Sequence, residues 1–175
     1  MKEIPLTNYQ LLAYFAPGFI VVFCFFICNE PICDWDSLKL AFTDLSIGLL
    51  IGALISAFIV GLILDGLRNS AVECLLDLKD RKKAPGNKVK WSFFYEGRKE
   101  DVALLYARYF TYYCFDFNVI LALIVSVTIL DIYSQLPEKW LLTIFFIVPA
   151  LWLLWDGISL RKDIAAATNH IYPNP

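Results

Sequence analysis

The sequence predicts an all-α integral membrane protein: a single domain with four transmembrane helices and a cytoplasmic helical hairpin between the second and third. Three observations predict it. Of the 175 residues 59% are apolar and 16% aromatic, and the mean hydropathy is +0.61, well above what a water-exposed domain needs. Apolar runs at about 9–28, 41–64, 112–132 and 140–160 meet or approach the roughly 20 residues that carry a helix across the hydrocarbon layer. Lys and Arg are sorted by side, because of 15 such residues only Lys39 and Lys139 lie between the first and second or the third and fourth runs. Short basic segments resist translocation, so both termini and the segment at about 65–111 are placed in the cytoplasm.

Taken in order, the first span follows Pro5 and Thr7-Asn8, which suit a helix start. It carries Pro17-Gly18 in its interior. A proline there removes a backbone hydrogen bond and bends the helix, which a membrane tolerates when a neighbour satisfies the freed carbonyl. A packing kink and a gating hinge are the two readings. No A-x-A-type cleavage site follows, so the run reads as a retained span rather than a removable signal peptide. The acidic loop beyond it holds Glu30, Asp34 and Asp36, with Trp35 at headgroup level. Cys28 and Cys33 flank Asn29-Glu30-Pro31-Ile32, and pairing or separate buried roles both stay open. Cys24, Cys74 and Cys114 sit at no ligand spacing and read as small apolar residues.

The second span sorts its small residues into two ridges at 100° per residue: Gly48, Gly52 and Ser56 on one side, Ala53, Ala57 and Gly61 on another. Small residues let backbones approach, so this helix is expected to touch two neighbours and to be the central one. Past Leu64 the pattern turns amphipathic, with Leu67, Ala71, Leu75 and Leu78 on one face, so the helix is expected to continue beyond the bilayer. Pro85-Gly86 forces a turn, and a helical pattern resumes near Glu100 and runs into the third span. The fourth span contains Pro149 and ends near Arg161, and the tail 165–175, with His170, reads as irregular.

Ionisable groups inside or beside spans are expensive, so each is a candidate site. Asp65, Arg68, Asn69, Asp116, Asn118 and Asp156 gather near the inner ends of the spans, and Asp44 and Asp131 near the outer ends. The inner belt reads in two ways. Its members either join helices through desolvated pairs or line a polar passage or gate, and a passage would need several copies, since four helices enclose little room. Arg81, Lys82, Lys83, Lys88, Lys90 and Trp91 form a candidate surface for anionic lipid or a cytosolic protein, with direct nucleic-acid binding the weaker use. No HExxH, GxSxG, phosphate loop or Cys/His cluster is present, so neither enzymatic activity, nor a cofactor, nor a metal is expected.

At Phe15-Ala16-Pro17-Gly18-Phe19 and at Gly61-Leu62-Ile63-Leu64-Asp65-Gly66-Leu67-Arg68-Asn69 the chain resembles small bacterial membrane proteins found with antiphage systems, and within them the membrane accessory proteins of type VI-B CRISPR systems. The resemblance implies a bacterial inner-membrane effector or regulator that works with an RNA-guided nuclease, a ribonucleoprotein partner, as an oligomeric pore. Some proteins of that kind carry a divergent HEPN ribonuclease motif, an Arg followed a few residues later by a His. Arg68-Asn69 starts like one, but Glu73, Cys74 and Leu75 occupy the matching positions, and Arg161 is too far from His170. The expectation is therefore a non-enzymatic homo-oligomeric effector that alters membrane permeability. Its rival is a membrane scaffold that recruits a cytosolic protein through the basic hairpin.

Overall fold

The computed structural model describes residues 8–29, 37, 43, 46–80, 88–133 and 139–171. Among them the chain is helical, without strands, and four helices are long and apolar enough to cross a membrane. Helix α1 is Asn8–Asn29 and α2 is Ile47–Leu67. A π-helical turn, Arg68–Val72, joins α2 to α3, Glu73–Asp80. After the short α4 (Phe93–Glu96) and α5 (Lys99–Leu105), a second π turn, Tyr106–Phe110, leads into α6, Thr111–Tyr133. The last helix, α7, is Lys139–Ile171.

Local chemistry sets several boundaries. Ser46 caps α2, its hydroxyl accepting the Leu49 amide at 3.2 Å, so the second span's helix starts at Ile47; Asp44 lies outside the described residues. Asp131 is exposed at the far end of α6. At the other end α7 runs past the expected limit near 160, and the tail expected to be irregular is helical to Ile171. Burial explains the extension, because Ile164, Ala165 and Thr168 are buried against the rest of the chain.

Helix α1 packs between α2 and α6, and α6 between α1 and α7. Within the chain the central helix is thus α6, with twelve buried residues, and not α2, which buries only Ala57, Gly61 and Leu64. One of the two small ridges makes the close approach foreseen for it. A Cβ built on Gly18 of α1 would overlap the carbonyl oxygen of Ala57, and one on Gly61 would overlap that of Tyr14, so the two backbones touch where only glycine fits. Ala53 is half-buried on the same ridge. The other ridge faces outward: Gly48, Gly52 and Ser56 are exposed, and a Cβ on Gly52 would meet nothing within 4 Å.

The larger side chains of α2, among them Ile51, Ile55, Ile59 and Ile63, are also exposed, as are Phe145, Val148, Trp152 and Trp155 of α7. A helix apolar on every face is stable only against hydrocarbon or another helix. The larger buried apolar cluster among the described residues lies instead at the polar end of the bundle, where Phe93, Val102, Leu105 and Ile164 pack with Tyr113 and Phe117 of α6.

Candidate functional site

At this polar end two buried arginines, Arg68 of the first π turn and Arg161 of α7, are 2% and 5% exposed. A guanidinium does not give up its proton, so each must find carboxylates. Glu73 serves both: Arg68 Nη1 donates to its Oε1 at 2.9 Å and Arg161 Nη1 to its Oε2 at 2.6 Å. Arg161 also donates to Asp80 Oδ2 at 3.0 Å, to the Tyr113 hydroxyl at 3.0 Å, and to Asp77 Oδ1. Its guanidinium lies 5.6 Å from the centre of the Trp91 ring, whose indole N–H donates to Asp77 at 3.2 Å.

The π turn makes the Arg68–Glu73 pair. Five residues along an ordinary α-helix place two side chains about 140° apart around the axis. Here the Glu73 amide bonds to the Arg68 carbonyl, an i to i+5 closure that brings position i+5 back over position i. Arg68 then reaches backward as well, with Nε and Nη2 on Asp65 Oδ1 at 3.1 and 3.0 Å and Nη2 on Asn69 Oδ1 at 2.8 Å.

Asn118 of α6, fully buried, ties this cluster to the spans. Its Nδ2 donates to Asp65 Oδ1 at 3.1 Å and to the Ala13 carbonyl at 3.3 Å. Ala13 is the residue whose carbonyl Pro17 leaves without its helical donor, so Asn118 supplies the hydrogen bond that the proline removes. Asp65, Arg68, Asn69 and Asn118, grouped from the sequence as gate candidates, therefore meet in one network. Asp116 and Asp156 lie against each other between α6 and α7, Asp116 only 4% exposed and its Oδ2 without a partner among the described residues.

The basic segment divides. Arg81, Lys82 and Lys83 lie outside the described residues, while Lys88, Lys90 and Trp91 dock on α7. Asn169 Nδ2 donates to the Lys88 carbonyl at 2.8 Å and the Lys90 amide to Thr168 Oγ1 at 3.4 Å. Trp91, grouped with the outward-facing lipid or partner residues, instead turns its ring onto Arg161. Cys28 donates its thiol weakly to the Ile129 carbonyl at 3.9 Å, and Cys33, its possible mate, lies outside the described residues.

Sequence reasoning missed Glu73, Asp77, Asp80 and Tyr113. The signal for Asp77 and Asp80 was an acidic pair on the face of an amphipathic helix, but their partner Arg161 lies more than 80 residues away in sequence, 81 from Asp80. Beside the network, a cavity of about 480 Å³ is lined by polar residues, Asp65, Arg68, Asn69 and Glu73, together with Tyr14, Trp91, Phe94, Phe110 and Cys114. Comparison with protein-family models, with curated proteins and with solved structures finds no match.

Proposed function

We propose that the chain is a non-enzymatic, self-associating effector of a bacterial inner membrane, which alters permeability when a cytosolic protein or ribonucleoprotein partner engages its cytoplasmic helices during antiviral defence. The sorting of Lys and Arg supports an orientation with both termini and α3 to α5 in the cytoplasm. One observation carries the reading: Glu73 is shared by Arg68, in the π turn that follows α2, and Arg161 of α7, so a push on α3 or on the end of α7 moves both as one lever. Asp65 and Asn118 extend that lever into α1 and α6.

The interior of a single bundle is filled, with Asn118, Ala122 and Ser126 fully buried on α6, so a passage would form between copies. The open ridge Gly48, Gly52 and Ser56 supports such an approach of one copy to another. In this reading Asp65, Arg68 and Asn118 act as the latch of the gate. The same filled interior favours the second reading, a scaffold that anchors a cytosolic protein and conducts nothing.

Ion or dye leakage from liposomes holding the purified protein, with and without the partner, separates the two. The effector reading expects partner-dependent leakage that Asp65→Ala and Arg161→Gln change. Zero leakage under every partner condition, with the partner still recruited to the vesicles, establishes the scaffold instead.

A further inference from the structure

We propose that the outward face of α3, continuous with an outward face of α2, is where a second copy of this chain docks in the same orientation. The inference rests on the self-association proposed for the effector and adds to it a contact surface beyond the membrane. Helix α3 is inside out for a helix in water. Its buried residues are Glu73 and Asp80, while Leu75 and Leu78 are 67% and 46% exposed. An ordinary amphipathic helix turns its leucines inward and its charges to water. On α3 the charged face is the one that packs, because Glu73, Asp77 and Asp80 all bind Arg161 of α7. The leucine face is left to a partner from outside the chain.

The π turn sets the direction of that face. Such a turn adds one residue to the helix, and with that residue allowed for, Gly52, Ser56, Ile63, Leu67, Leu75 and Leu78 fall within about 80° of one another around the axis. All six are exposed. The opposite side is the buried one, running from Ala57, Gly61 and Leu64 through Arg68 to Glu73 and Asp80. Every charged residue between Gly52 and Leu78 falls off the exposed stripe, and Ser70 within it donates its hydroxyl to the Gly66 carbonyl at 2.7 Å, so the stripe can be covered without stranding that group.

Length chooses the occupant. The stretch Ile47–Asp80 has 34 residues, about 50 Å of helix, against about 30 Å of hydrocarbon and 40–45 Å with both headgroup layers. Leu75 and Leu78 lie roughly 16 and 21 Å past Leu64, farther than one headgroup layer extends. Lipid therefore reaches only the upper part of the stripe, and a soluble protein only the lower part. Another copy in the same orientation presents small residues within the bilayer and leucines below it at matching depths. Since the stripe is uncharged, two copies bring no like charges together.

Cys74 is exposed beside the leucines and reports on the contact. The test treats the full chain, in lipid vesicles at high lipid dilution, with a short bis-maleimide and reads the products on a denaturing gel. A two-chain product is expected that disappears in Cys74→Ser. It is expected to fall roughly tenfold when Leu75→Glu and Leu78→Glu are combined, because unpaired carboxylates would then be buried between copies. Both leucines are exposed, so the combined variant should melt as the parent does, which separates lost docking from lost folding. A Cys74 that stays uncrosslinked, whether open to soluble maleimide or shielded by lipid or a soluble partner, overturns the proposal. So does a crosslink that the combined variant leaves unchanged. Leakage is measured on the same vesicles: leakage without the crosslink defeats this interface alone, and the crosslink without leakage supports it while defeating the effector reading.

Discussion

Replacing Glu73 by Gln tests the junction at its shared point. The amide keeps the shape but offers one acceptor oxygen where two arginines each need one, and it turns an NH₂ group toward the other guanidinium. Breaking a buried ion pair costs about 3–5 kcal/mol. The lower end applies, because Arg68 keeps Asp65 and Asn69 while Arg161 keeps Asp77, Asp80 and Tyr113. About 3 kcal/mol corresponds to a fall in Tm of roughly 6–12 °C for a chain of this size, read by tryptophan fluorescence on heating in detergent. A double-mutant cycle with Arg161→Gln isolates the pair, and a coupling of about 1–3 kcal/mol is expected. Additivity within about 0.5 kcal/mol would refute the claim that Glu73 joins the two helices.

Asn118→Leu strands the Ala13 carbonyl and removes one of the three donors on Asp65 Oδ1, which keeps Arg68, at a cost of about 1–3 kcal/mol. Pro17→Ala restores the missing helical donor, so the double variant should recover part of that loss in the same melting assay, and no recovery would mean that Asn118 does not serve the proline. Gly61→Leu forces a side chain into the Tyr14 carbonyl and should abolish the α1–α2 contact, lowering the yield of folded protein. Gly52→Ile meets nothing within the chain, so its melting in monomerising detergent should match the parent, and any loss it causes should appear only in assembly. Trp91→Phe keeps a ring over Arg161 but removes the donor to Asp77, for a loss of about 1 kcal/mol.

Run length and apolarity made the spans legible in the sequence: 112–132 and Thr111–Tyr133 nearly coincide, because a bilayer demands about 20 apolar residues and little else does. The direction of packing was less legible. In a soluble helix the polar face marks the outside, but on α2 the exposed Ile51 and Ile55 are as apolar as the packed Ala57, so small residues showed where backbones can approach and not which ridge has a partner. The gate candidates were found because charge beside a span is rare. Their partners were not, since the π turn breaks the 100° periodicity that placed Glu73 on another face, and Arg161 meets Asp80 and Glu73 only through the fold. The tail beyond Arg161 looked irregular for want of an apolar run, yet Ile164, Ala165 and Thr168 suffice to hold it against the docked Lys88–Trp91 segment.

The central claim, that copies of this chain assemble into the working unit, is tested most directly by the mass of the protein in lipid nanodiscs, where one copy contributes 20.0 kDa. The account predicts a closed ring of three or more copies that Gly52→Ile reduces to smaller species. A single copy or a dimer, unchanged by Gly52→Ile, would contradict it.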